Sequence, residues 1–175
     1  LSEPDAAIRG VQGIVDEFAR IANGMIMLAE RPLQSTDKAL ATGERLAALM
    51  MAAYLESEGV RAEAVNAWRV IATDDVFGGA SPLMEETRAR AAKVMAPLLQ
   101  AHVLPVMTGF NASTCDERNP TEEGRPTTLG RGGSDFSASI LAAALDAEEL
   151  WIWTDVDGIM TGDPRLIPEA RVIPE

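Results

Sequence analysis

Gly130-Arg-Gly-Gly-Ser-Asp-Phe-Ser-Ala-Ser-Ile-Leu-Ala-Ala-Ala-Leu-Asp-Ala-Glu-Glu-Leu-Trp-Ile-Trp-Thr154 sets a glycine bend before a helical stretch and an apolar run after it. Phe136, Ile140, Leu141 and Leu145 recur at helical spacing, which predicts a helix over about Ser134–Ala147. Leu150–Thr154 reads as the buried strand that follows.

Working outward, Val103–Phe110 also reads as a buried strand, and Asn111–Pro126 as a polar hairpin or loop rich in turn formers. Near the start, Ile8, Val11, Val15, Phe18 and Ala22 share one face of a helix over Pro4 to about Ala29, with Ile14 and Ile21 beside it. Pro32 breaks that run. A second helix is predicted over about Asp37–Ser57, with Leu46, Met50, Ala53 and Tyr54 facing inward and Gly59 stopping it. Ala62–Trp68 is a short strand candidate and Asp74–Ser81 a loop. A third helix is expected to open at Ser81-Pro82, with Glu85 and Glu86 in its first turn. Its buried face would hold Ala91, Val94, Met95, Leu98 and Leu99. Helices alternate with apolar strands that lack two-residue alternation. That pattern predicts a three-layer α/β/α sandwich around a mostly parallel sheet. In such sheets ligands sit beyond the carboxyl ends of the strands, so the loops after Phe110 and Thr154 are where a site is expected.

The totals narrow the chemistry. The 175 residues suit one domain, and 47% apolar with 24% charged residues can build a core. A net charge of −12 disfavours nucleic acid and anionic membranes as partners. No apolar run has membrane-spanning length, and no signal peptide is recognisable. Cys115 and His102 are each alone, which argues against disulfides, thiolate metal clusters, His-rich zinc sites and serine-hydrolase triads. A reducing, cytoplasmic location is expected. Chemistry must then run on carboxylates, Arg, Lys, hydroxyls and backbone amides.

Two segments could supply it. In Thr127-Thr-Leu-Gly-Arg-Gly-Gly-Ser-Asp135 the glycines let the backbone turn tightly and approach a ligand. Successive N–H groups and a helix N-terminus would then converge on an anion. Arg131 adds a fork that fits a carboxylate two-pronged, and Ser134 a hydroxyl. The alternative is a purely structural turn capped by Ser134 or Asp135. In Trp151-Ile-Trp-Thr-Asp-Val-Asp-Gly-Ile-Met-Thr-Gly-Asp-Pro-Arg165 hydroxyl and carboxylate groups follow a strand. They could hold a nucleotide's sugar and phosphates or a hydrated Mg²⁺, with Arg165 on phosphate. The alternative there is an Asp-rich turn.

Together the two segments resemble the signatures of aspartate kinases, members of the amino acid kinase superfamily. Leu-Gly-Arg-Gly-Gly-Ser-Asp followed by Ser-Ala is the more specific part. Thr42-Gly-Glu-Arg45, Thr73-Asp74 with Phe77-Gly78, and Pro105-Val-Met-Thr-Gly-Phe110 support it in family order. The resemblance implies ATP-dependent phosphorylation of the L-aspartate side chain to β-aspartyl phosphate, the first step of lysine, threonine and methionine biosynthesis. It implies substrate contacts from Glu44, Arg131, Gly132, Gly133 and Ser134, and a catalytic-site carboxylate at Asp135. ATP would be held by Thr154, Asp155, Met160, Asp163 and Arg165, with Mg²⁺ as cofactor and no dedicated metal site. Met160 stands where many members have Tyr. A glutamate-accepting relative, or a non-catalytic ligand-binding one, is the competing reading.

The resemblance also implies a partial catalytic domain, incomplete at both ends. Residues 1–148 would form mainly the amino-acid side and 149–175 the start of the nucleotide side. The family's Lys-Phe-Gly-Gly opening strand and its ACT domains are not in this sequence, so the chain alone is expected to be inactive as a kinase. The full-length protein is expected to be a homo-oligomer.

Overall fold

The computed structural model describes residues 4–116, 118–153 and 158–173. Among these the order is α1 (Pro4–Leu28), α2 (Leu33–Ser57), β1 (Ala62–Val65), a 3-10 turn (Ala67–Arg69), β2 (Ala72–Thr73), α3 (Met84–Gln100), β3 (Leu104–Met107), β4 (Asn111–Cys115), β5 (Glu123–Thr128) and α4 (Gly133–Ala144).

Two parallel ladders form the centre. Ala62 to Val65 pair with Leu104 to Met107, and Ala72 and Thr73 pair with Ser113 and Thr114. Between the ladders the chains stay joined. Thr108 donates its N–H to the Val65 carbonyl at 3.0 Å, and Ser113 donates to the Ile71 carbonyl at 3.0 Å. The Thr108 hydroxyl accepts the Ala67 N–H at 2.9 Å. The ladders are therefore two halves of one parallel run, interrupted by the 3-10 turn on one chain and by residues 108–110 on the other. β5 closes the lower half, antiparallel to β4, with Asn111 opposite Thr128. The mostly parallel sheet expected from the sequence is present. So is the hairpin within 111–126, which becomes the β4–β5 pair.

α2 covers one face of the sheet and α3 with α4 the other, while α1 lies outside on α2. On the α3 side Val65, Val70, Ala91, Met95 and Ala144 form one buried cluster, and Ala67, Ile71, Ala112, Leu129 and Ile140 another. Much of the remaining interior is polar and internally satisfied. Thr87 accepts the Ala72 N–H at 3.0 Å, fixing α3 to β2. The hydroxyls of Thr73 and Thr127 bond at 2.7 Å.

Several details differ from the sequence expectation. Ile8, Val15 and Phe18 are exposed. α1 instead docks through the stripe with Gly10 and Glu17, because Gly10 lets Leu49 of α2 come closest. α2 begins at Leu33 rather than near Asp37, and Met50 and Tyr54 point outward. Its buried positions are Asp37, Ala41, Ala48 and Ala52, small residues that let the helix lie close to the sheet. The strand from Ala62 ends at Val65, where Asn66 accepts the Trp68 N–H and starts the 3-10 turn. α3 starts at Met84 with no side-chain cap, since Pro82 bridges to Thr73 and Leu83 donates its N–H to the Ala72 carbonyl. Leu99 of α3 is exposed, and β3 is only half-buried. The 150–153 run is exposed and forms no strand.

Candidate functional site

β5 ends at Thr128 and the chain turns immediately. Gly130 (φ +76°) and Gly132 (φ +72°) adopt the left-handed conformation that a Cβ disfavours. The Leu129 N–H bonds the Phe110 carbonyl at 2.9 Å, which ties the bend to the residues after β3. Those residues are themselves tightly turned. Phe110 has φ +64°, and Asn111 donates its N–H back to the Gly109 carbonyl at 2.6 Å. Ser137, buried in α4, locks the two together: its hydroxyl accepts the Phe110 N–H at 2.8 Å and donates to the Gly133 carbonyl at 2.6 Å.

α4 starts with Gly132 as its cap and no side-chain capping bond. The structural alternative, a turn capped by Ser134 or Asp135, is thus not what the chain does. Both side chains stay exposed. The first-turn N–H groups of a helix have no intrahelical acceptor, and here no side chain takes their place. They add positive potential where the bend opens.

Glu44, Phe110, Gly130, Arg131, Gly132, Gly133, Ser134 and Asp135 line one cleft of about 330 Å³. It thus gathers Glu44, Arg131, Gly132, Gly133, Ser134 and Asp135, all the residues expected on the amino-acid side. Glu44 reaches in from α2, and its Oε2 accepts the Gly109 N–H at 3.2 Å. The cleft therefore offers the Glu44 carboxylate from α2, and a guanidinium, a hydroxyl, helix N–H groups and the Asp135 carboxylate from the bend and α4. That polarity suits a small zwitterion carrying an extra carboxylate. Larger hollows lie between α1, α2 and β1 and beside the β4–β5 hairpin, and neither contains these residues.

Of the nucleotide-side candidates, Met160, Asp163 and Arg165 do not line that cleft. Thr154 and Asp155 lie outside the described residues. Met160 bridges to Val172, and Thr161 and Ile173 bond to Arg171 and Ile159, so 158–173 folds back on itself. Asp163 accepts the Arg165 N–H and Nε at 2.9 and 3.0 Å through Oδ1, and Nη2 at 2.8 Å through Oδ2. Those bonds hold the Asp163 carboxyl below its usual range and push Arg165 up. The arginine expected on phosphate is here engaged by its own neighbour. Among the described residues no group of three acidic, His or Cys side chains is placed to hold a metal.

Three residues that organise the site escaped the sequence reading. Asp37 is buried on α2, Ser137 on α4 and Arg90 on α3. Arg90 donates to the carbonyls of Pro120, Trp68, Thr114 and Glu122 and to the Ser113 hydroxyl, stitching the β4–β5 hairpin to α3. A signal was present for two of them. Asp37 shares a helical face with Ala41, Ala48 and Ala52, and Arg90 follows Thr87 at helical spacing beside Ala91.

The amino acid kinase family matches residues 6–175, and the chain belongs to that family. It is 36% identical over 167 residues to the lysine-sensitive aspartokinase 3 of Escherichia coli (strain K12), covering 93% of this chain and 35% of that protein. It is 34% identical over 170 residues to the aspartokinase of Rickettsia prowazekii (strain Madrid E), covering 96% of this chain and 35% of the relative. The crystal structure of E. coli aspartokinase III in complex with aspartate and ADP (R-state) superposes with a TM-score of 0.82 at 33% identity, covering 99% of this chain and 36% of that one. The chain therefore spans about a third of the length of these relatives. No helix among the described residues is long and apolar enough to cross a membrane.

Proposed function

We propose that this chain forms the amino-acid side of a catalytic unit that transfers the γ-phosphoryl group of ATP to the side-chain carboxylate of L-aspartate. The observation that carries the reading is the single cleft uniting Glu44 with Arg131, Ser134 and Asp135. Its relatives are aspartokinases, and one solved relative is a complex with aspartate and ADP.

The chemistry suits the residues. An aspartate carboxylate has an ordinary pKa near 4, so it is already a nucleophile at neutral pH and needs no general base. The obstacle is bringing it in line with an anionic triphosphate. Arg131 binds a carboxylate of the amino acid, and the α4 N-terminal N–H groups and the Ser134 hydroxyl share its charge. Glu44 takes the α-ammonium. Asp135, in the first turn of α4, orients the groups around the transfer point. Mg²⁺ bound together with the nucleotide would supply charge neutralisation.

Calorimetric titration with L-aspartate tests the reading. Saturable 1:1 binding is expected, weakened more than tenfold in Arg131→Ala and in Glu44→Gln. Wild-type protein that takes up no aspartate, or an Arg131→Ala variant that binds it unchanged, would overturn the proposal.

A further inference from the structure

We infer that Asp37 is a positioning residue that fixes the distance between Glu44 and Arg131 and so sets the length of amino acid the cleft accepts. The ligand half of this inference rests on the function proposed above; the structural half does not.

Asp37 is 1% exposed. Its Oδ2 accepts the Gly78 N–H at 2.8 Å and the Thr128 N–H at 3.2 Å, and its Oδ1 accepts the Thr128 hydroxyl at 2.9 Å. No Lys or Arg pairs with it among the described residues. A carboxylate kept in the interior on neutral donors alone holds the two Thr128 donors firmly, since they would otherwise be buried without a partner. Both donor segments border the bend. Thr128 lies two residues before Gly130, and the Thr128 carbonyl also accepts the Ala80 N–H at 2.8 Å. A Cβ on Gly130 would stand 3.5 Å from Gly79 Cα and 3.6 Å from the Gly78 carbonyl oxygen. Asp37 thus clamps the 78–80 loop and the root of the bend at their closest approach.

The clamp belongs to α2, and so does Glu44, seven residues further along the same helix face. One rigid element therefore carries the Glu44 carboxylate of the cleft and the tie that holds the Arg131 side. Releasing Thr128 frees Arg131 to move relative to Glu44 without altering either side chain. The consequence is a loss of discrimination between aspartate and glutamate, which differ by one methylene.

The test is Asp37→Asn, whose amide cannot accept all three donors and turns an N–H toward one of them. L-Aspartate and L-glutamate are titrated by calorimetry into wild-type, Asp37→Asn and Arg131→Ala protein. Amide exchange is followed at Gly78, Thr128 and Gly130–Gly133. Aspartate affinity is expected to fall about tenfold in Asp37→Asn with the aspartate-to-glutamate ratio narrowed, and the bend amides to exchange faster as a group. Wild-type affinity and ratio in Asp37→Asn, with binding lost in Arg131→Ala, would overturn the positioning role and leave the proposed function standing. Should wild-type protein bind neither amino acid, the proposed function fails. Exchange then decides the clamp alone: unchanged bend amides overturn it, faster ones support it. If Asp37→Asn does not fold, Thr128→Val removes one donor at nearly constant shape and is read by the same titrations and amides, with a smaller loss expected in the same direction.

Discussion

The Phe110 ring fills the space a side chain at position 133 would need: a Cβ on Gly133 would stand 2.8 Å from Phe110 Cδ2 and 3.2 Å from Phe110 Cα. The ring and the backbone both crowd it, so a rotamer change of Phe110 alone does not make room and the backbone must also give. Gly133→Ala is expected to destabilise the fold by about 1–3 kcal/mol, the usual cost of overpacking. It should also displace α4 from the turn at Phe110 and weaken aspartate binding. Thermal unfolding with calorimetric titration checks both.

Gly132 poses a different constraint. A Cβ there meets nothing within 4 Å, yet its φ is +72°. The cost of Gly132→Ala is therefore purely backbone, about 1–2 kcal/mol. Gly132→Asn should recover part of it, because Asn tolerates the left-handed region. Urea unfolding of the two variants, compared with Gly133→Ala and Gly133→Asn, separates backbone strain from steric exclusion: Asn helps only at 132.

Arg90 is fully buried and donates to four carbonyls and one hydroxyl. Burial pulls its pKa down, opposed by Cys115, Glu123, Glu122 and Glu86 nearby. Arg90→Ala leaves several acceptors unsatisfied at once and should cost roughly 3 kcal/mol or more. Arg90→Lys should recover little, since an ammonium cannot reproduce the planar fork. Chemical denaturation measures the loss, and amide exchange at Thr114 and Arg125 shows whether the hairpin loosens first.

Glu17 joins α1 to α2 through Lys38 and Arg45, each at 2.7 Å. Partial burial pushes its carboxyl up, but the bonds to Lys38 and Arg45 outweigh that and hold it below its ordinary value of 4.5. A depressed carboxylate stabilises the fold above its unfolded pKa, and the contribution is lost as pH falls through the lower folded value. The pair is partly solvated, so the loss should stay under about 1 kcal/mol. Acid titration of stability should show it below about pH 4.5, and Glu17→Gln should flatten that part of the curve.

The sequence exposed the local grammar of the site but not its supports. The bend, the helix after it and the hairpin before it were all readable, because glycines and turn formers act over a few residues. Glu44 and Arg131 were placed in one cleft by resemblance, and the cleft at the bend contains both. Asp37 and Arg90 were missed because an acidic or basic residue on an amphipathic helix ordinarily faces water. Only knowledge of which loops meet that helix reveals a buried acceptor or donor. Met50 and Tyr54 were turned the wrong way for the converse reason: α2 approaches the sheet through alanines, and size alone suggested the opposite face. The 150–153 run shows the limit of pattern reading, since an apolar stretch can have a strand's composition without pairing to one.

The polar interior has a thermodynamic corollary. The largest fully buried side chains include Ile71, Met95, Val65 and Val70, but also Arg90, Asn111, Thr73, Thr87, Thr127, Thr128, Asp37 and Ser113. Meanwhile Ile8, Met27, Trp151, Trp153 and Leu166 remain in contact with water in the folded state. Unfolding therefore newly wets less hydrocarbon than a chain of this length usually would, and wets more hydroxyl and amide. Hydrocarbon exposure raises heat capacity and polar exposure lowers it. The curve of stability against temperature should be unusually flat, with cohesion that depends on keeping directional bonds in register.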